Sequence, residues 1–295
     1  MTLIGILLAL LIERGLSHVR EWREHAWYKR YVNWLADSVK AEWLWQTPFG
    51  LALLLGAPLL VAGLIQGALD GGFLEVLGLI WAVLVLILCL GPRDLGEEVH
   101  AFIEASHRDD TEAMTQIADD LGVNSQNGKD DSCRPLSTAV FIQGHERLLA
   151  VLFWFFVLGP LGALLYRLTA SLAALLPAME NSSDDLREAT VRLHAVLAWV
   201  PARITAGLYM LAGSTNDAIA GWSRAHQNDN GDWAELNWRI LALVGCGAMQ
   251  LEDAENKKVE MNAEDSLLEA LGLVRRALFL ALGILAAFTL GGWIV

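Results

Sequence analysis

Four stretches of this chain stay apolar over the thickness of a lipid bilayer, and no other property narrows its possible folds as far. Phe49–Leu69 is apolar throughout except for Gln66, and Phe73–Leu90 carries one acid, Glu75, near its start. Leu148–Leu165 is uncharged and rich in aromatic rings, and Leu271–Val295 is uncharged from Ala277 onward. A helix needs about 20 such residues to cross the hydrocarbon region, and all four are long enough to do so with some tilt. The expected fold is therefore all-α: a polytopic integral membrane helical bundle with amphipathic helices on its cytoplasmic side.

The bulk composition agrees, with 55% apolar residues and 12 tryptophans in 295 residues. A net charge of −13 excludes a nucleic-acid partner and a polybasic lipid-binding tail. The acids gather in Glu104–Asp131 and Glu252–Glu269, which read as a solvated cytoplasmic surface. Cys89, Cys133 and Cys246 are odd in number and far apart, so neither a disulfide framework nor a zinc site is expected. Cys89 reads as a small buried hydrophobe. Met1–Ile12 has no basic n-region and no small-residue cleavage site, so it reads as retained rather than as a signal peptide. At ~18 Å of helix it is too short to cross alone, and is either a partial span leaning on the bundle or an interfacial helix.

Charge sets the expected topology. Residues 14–48 combine Arg14, Arg20, Arg23, Lys29, Arg30 and Lys40 with five tryptophans, the signature of a helix lying on the cytoplasmic face. The next two spans form a hairpin around Asp70-Gly71-Gly72, a tight periplasmic turn, and Pro58 should kink the first of them. Residues 91–146 return to the cytoplasm: Leu95–Leu121 reads as one helix, Gly122–Arg134 as a loop, and Leu136–Leu149 as a second helix. Leu148–Leu176 contains Gly159-Pro160, either a proline kink or a broken helix lining a site. Leu193–Gly213 is apolar around His194, Pro201 and Arg203, ionisable groups that should face a partner or cavity rather than lipid. Arg275 and Arg276 hold the start of the last span inside. The cytoplasmic segments are then 14–48, 91–146 and 214–270, with 148–176 and 193–213 as a span and its return.

No Walker A loop, GxGxxG, GxSxG or HExxH occurs, and the histidines show no metal-ligand spacing. Neither a catalytic residue nor a metal ligand is assigned, and the cofactor is unspecified. One constellation stands out: His145-Glu146-Arg147, Tyr166-Arg167, and Arg203 in Trp199-Val200-Pro201-Ala202-Arg203. Where these segments pack together, Glu146 meets Arg203 or Arg167 in a low-dielectric interior. Two readings stay open: an ion pair that fixes helix register, or a pocket whose arginines grip a phosphate or carboxylate.

The stretch from Phe153-Trp154 through Gly159-Pro160-Leu161-Gly162 to Tyr166-Arg167, followed by Trp199-Val200-Pro201-Ala202-Arg203-Ile204-Thr205-Ala206, resembles the AmpE family of inner-membrane proteins. That family is related to the cobalamin-biosynthesis membrane protein CobD/CbiB. Pro92-Arg93-Asp94-Leu95 and His145–Ala150 extend the resemblance over nearly the whole chain. It implies a single membrane domain over 1–295, placement in the bacterial inner membrane, and a part in the signalling that controls β-lactamase induction. The partners expected are the lipid bilayer, from the apolar runs, and either a cytoplasmic cell-wall-recycling amidase, which the resemblance implies, or a small anionic ligand, which the arginines suit. The cobalamin relative attaches an aminopropanol or its phosphate to a corrinoid carboxylate with ATP. Its acidic motif after the Tyr-Arg pair is replaced here by Leu168-Thr169-Ala170-Ser171-Leu172-Ala173, and its aspartates before Pro-Ala-Arg by His194-Ala195 and Ala198. Magnesium-dependent chemistry needs carboxylates. The leading reading is thus a non-catalytic modulator or sensor of the β-lactam and cell-wall-recycling response. An amide ligase related to adenosylcobinamide-phosphate synthase comes second, and a transporter of muropeptide-like solutes third.

Overall fold

A computed structural model describes residues 5–9, 26–38, 45, 49–69, 75–90, 95–123, 135–179, 182–227, 233–249 and 262–291. The described residues are helical and contain no strand. In chain order the helices are α1 (Ala26–Ser38), α2 (Phe49–Leu69), α3 (Glu75–Cys89), α4 (Leu95–His107), α5 (Thr111–Asp120) and α6 (Pro135–Gly144). A π-helical turn, His145–Leu149, joins α6 to α7 (Ala150–Leu175), and a 3₁₀ turn, Leu176–Ala178, follows. The remainder are α8 (Asp184–Ala212), α9 (Thr215–Gln227), α10 (Trp233–Ala248) and α11 (Ala263–Leu290). The hairpin turn, the 122–134 loop beyond Val123 and the Arg14–Arg23 basic cluster lie outside the described residues.

Four helical stretches are long and apolar enough to cross a membrane: Gly50–Leu69, Pro135–Ala178, Asp184–Ala212 and Ala263–Thr289. Their outward faces carry Leu60, Leu64, Val157, Leu158, Leu211 and Phe279 at 51–68% exposure. Apolar side chains so displayed are unfavourable in water and at home in hydrocarbon, and the chain is a multi-pass membrane protein. α3 is shorter than its expected span, 15 residues or about 22 Å. α8 and α11 begin earlier than the apolar runs suggested, at Asp184 and Ala263, because acidic first turns favour a helix N-terminus. Asn262 caps α11, accepting from the Ala263 amide at 2.8 Å.

The chain divides into two compact units. The first comprises Met1–Pro92 and Ala150–Leu197. Its core joins Tyr28, Val32 and Leu35 of α1 to Leu54 and Leu55 of α2, Leu168 and Leu172 of α7, and Leu186 of α8. Burial, with Tyr31 beside it, pushes the Tyr28 hydroxyl well above the ordinary phenol range. Ile6 and Ala9 are buried, and Gly5 packs towards Leu79, Val83 and Phe155, so residues 5–9 lean on α3 and α7.

Within α7 the helix is broken outright. Gly159 has φ +68° and ψ −157°, a region essentially reserved for glycine. A Cβ built on Gly162 would lie 2.5 Å from the carbonyl oxygen of Trp154. In a straight helix those residues stand about 12 Å apart along the axis. The chain therefore folds sharply at Gly159-Pro160, the broken-helix alternative rather than a shallow kink. Beyond the break α7 descends to α1, and the Ser183 amide donates to the Trp45 carbonyl at 2.9 Å. Leu176, Ser183 and Leu186 thus lie beside α1 and Trp45, whereas the charge pattern put the 176–186 corner on the opposite side from residues 14–48. The cause is the Gly159 break, which redirects a segment read as a simple crossing. Gly159→Ala should destabilise the protein by about 1–3 kcal/mol although its methyl would meet no atom within 4 Å. Unfolding by SDS titration in mixed micelles, compared with wild type, measures this cost.

The second unit comprises Arg93–Leu149 and Ala198–Ile294, so the boundary falls within α8. Its core gathers Val99 of α4, Phe141 of α6, Tyr209 of α8, Ile240 and Val244 of α10, and Val274 of α11. Tyr209 donates its hydroxyl to the Phe141 carbonyl at 2.9 Å. Leu95–Leu121, expected as one helix, is two: Asp109 turns the chain at φ +53°, and Asp110 caps α5 by accepting from the Ala113 amide. The Asp-Thr-Glu start of α5 is a capping signal that the apolar periodicity concealed. Cys89 is a buried free thiol, as expected. Cys246 is disulfide-bonded, against the expectation, and its partner is not among the described residues.

Candidate functional site

The polar constellation of the second unit is built on the π-turn. A π-helical turn accommodates an extra residue in a helix and often marks a functional position. Here it separates α6 from α7 and carries His145, Glu146 and Arg147 together. His145 is fully buried; its Nδ1 is 2.9 Å from Thr205 Oγ1 of α8, and its ring meets the edge of Trp238 of α10 at 6.1 Å. Glu146 is half-buried on the same turn.

Arg147 is nearly fully buried and donates from Nη1 to Glu98 Oε2 and from Nε to Gln143 Oε1, both at 2.7 Å. Gln143 in turn donates to the Leu121 carbonyl at 3.2 Å. The buried charge of Arg147 is thereby neutralised by α4.

Arg203 is held differently. Its Nη1 donates to the Trp199 carbonyl at 2.9 Å and to Asn237 Oδ1 of α10. The guanidinium lies 4.4 Å above the Trp199 ring, a cation–π contact. Both bonds leave from Nη1, so Nε and Nη2 have no partner among the described residues. A guanidinium edge with two donors in one plane is the geometry that takes a carboxylate or phosphate bidentately. Half-buried in an apolar helix, it has less competition from water than a surface arginine. Asn237 is fully buried and fixes that orientation.

Tyr166 and Arg167 belong to the first unit. Tyr166 is fully buried, its ring 5.5 Å from that of His194. Arg167 lines a separate apolar cavity. The structure thus brings His145, Arg147 and Arg203 into one unit and places Tyr166 and Arg167 in the other. Sequence reading missed Glu98, Gln143, Thr205 and Asn237. Two of these were detectable: Glu98 interrupts the Leu95, Phe102, Ala105 stripe of α4, and Asn237 sits inside the apolar side of α10.

The family described as "Regulatory signalling modulator protein AmpE" matches residues 1–279. The chain belongs to the AmpE family. It is similar to Protein AmpE of Shigella flexneri, 24% identical over the full length of both chains. It is also similar to Cobalamin biosynthesis protein CobD of Stutzerimonas stutzeri, 32% identical over 175 residues, 59% of this chain and 56% of that one. CobD of Chromobacterium violaceum is 27% identical over 82% of this chain and 78% of its own. No solved structure matches the chain. Within this AmpE-family chain, Arg203, Asn237 and the π-turn form the polar centre of the second unit.

Proposed function

We propose that the protein is an inner-membrane modulator of the β-lactam and cell-wall-recycling response, which senses an anionic ligand without converting it. The half-free guanidinium of Arg203, aimed by Asn237 and Trp199, is the observation that carries this reading. Family membership over residues 1–279 supports the signalling role. The loss of carboxylates around Tyr166-Arg167 and Ala198, where the corrinoid relatives' motifs carry them, supports binding without catalysis. Arg147 is occupied by Glu98, so it serves the fold around the π-turn rather than the ligand.

The test is complementation. A strain lacking the gene should show altered β-lactamase induction by a sublethal β-lactam, and the wild-type gene should restore it. Arg203→Ala and Arg203→Lys should both fail to restore induction, because an ammonium cannot replace a planar fork. Their membrane levels should match wild type. Full restoration by Arg203→Ala would end this assignment of the site.

The CobD relatives favour a second reading, an ATP-dependent amide ligase related to adenosylcobinamide-phosphate synthase. Incubating purified protein with a corrinoid acid, aminopropanol phosphate and Mg-ATP separates the two: formation of the amide product replaces the first reading with the second.

A further inference from the structure

The first unit contains a cavity of about 380 Å³ between α2, α3 and α7, lined also by Tyr31 of α1. It lies within the size range of small-molecule sites, which combine an apolar lining with a few placed polar groups. Its wall is apolar apart from the side chains of Arg167, Trp81 and Tyr31 and the weakly polar thiol of Cys89. Tyr31 already donates to the Leu53 carbonyl.

Trp81 is not so satisfied. Its Nε1 is buried and has no hydrogen-bond partner. An indole N–H without an acceptor, withdrawn from water, is unfavourable. A ligand oxygen in this cavity would remove that cost. Arg167 supplies the positive charge at the same wall, among lining groups that are aliphatic, aromatic or, at Cys89, a thiol.

The exposure of two lining residues points to lipid as the source of a ligand. Val61 and Ile65 line the cavity and are also 56% and 38% exposed on the outer face of α2, the face that meets lipid. The volume holds about a dozen methylene- or water-sized groups, enough for part of one alkyl chain and too little for the two of a diacyl lipid. We propose that this cavity binds a single-chain anionic amphiphile drawn from the bilayer. Its carboxylate or phosphate head meets Arg167, a ligand oxygen accepts from Trp81, and its chain lies along Pro58, Val61 and Ile65. The residues involved belong to the first unit, so this inference does not rest on the signalling role of Arg203.

Native mass spectrometry of the full chain in a nonionic detergent tests it, with three probes: 1-oleoyl lysophosphatidate, palmitate and the uncharged monoolein. A saturable one-to-one adduct is expected with at least one anion, about tenfold tighter than with monoolein. Adducts with lysophosphatidate alone identify a phosphate head, and with palmitate alone a carboxylate. Arg167→Gln should weaken the anion adduct about tenfold, while Arg167→Lys keeps most of it. Trp81→Phe should weaken it about threefold, and Ala57→Phe, which fills the cavity from α2, should abolish it. If Arg167→Gln does not fold, the Trp81 and Ala57 variants decide. Equal binding of monoolein, unsaturable uptake, or an unchanged adduct in Ala57→Phe would overturn the proposal.

Discussion

Arg147→Met is expected to destabilise the protein by about 3–5 kcal/mol, and Glu98→Gln by a similar amount, while the double variant loses much less than the sum. Both side chains are over 90% withdrawn from solvent, and Arg147 Nη1 lies 2.7 Å from Glu98 Oε2. Deleting one member leaves the other charge buried without its partner, and that uncompensated desolvation sets the cost. Deleting both removes the charges altogether, and well-packed neutral side chains can be nearly as stable as a buried pair. Gln143 modulates the result, because it bonds Arg147 Nε and also ties the network to the Leu121 carbonyl. SDS-titration unfolding of the two single variants and the double variant closes a double-mutant cycle. A cost below about 1 kcal/mol for Arg147→Met would place the pair in the range of surface ion pairs, and the π-turn would need another anchor. The same cycle separates architecture from recognition. Arg147 variants should lose stability and function together, whereas Arg203→Ala should lose function while the fold persists.

The all-helical membrane fold was legible because bilayer-length apolar runs have few other physical uses. The helix starts were less so. Residues 184–192 are charged, yet they open α8 through an acidic first turn and a Glu188–Arg192 pair one turn apart. The site was half legible. Arg203 stood out as a charge in an apolar helix, and His145-Glu146-Arg147 as a charged triplet at the start of one. Glu98 and Asn237 were visible as polar residues on apolar helix faces, but which arginine each meets, across 49 and 34 residues, follows from tertiary packing that no local pattern encodes. Glu98 also sat within an acidic composition that suggested a solvated face. The 176–186 corner was misplaced for a different reason. Charge counting treats each apolar run as one crossing, and a single glycine at φ +68° is enough to break that rule.

The second large effect is expected where α9 meets α10. A Cβ on Gly221 would lie 2.2 Å from the Leu243 carbonyl oxygen, and one on Gly247 would lie 2.3 Å from that of Asp217. The two backbones are in direct contact at two points one turn apart, where the start of α9 runs antiparallel to the end of α10, close enough for Cα–H to meet carbonyl oxygen. No rotamer change relieves such a clash, because the obstructing atom is main chain. Gly221→Ala must push the helices apart, at about 1–3 kcal/mol, and Gly221→Val at the upper end of that range or beyond. Separating the helices also relieves Gly247, so adding Gly247→Ala should cost less than it does alone, a sub-additive pair in one interface. Gly272 of α11 provides the contrast, since a Cβ there meets nothing within 4 Å. Gly272→Ala should stabilise the protein by about 0.5–1 kcal/mol, through helix propensity alone. Opposite signs at Gly221 and Gly272 in the same unfolding assay would locate the cost in backbone contact. Equal signs would mean that propensity, rather than packing, governs the α9–α10 pair.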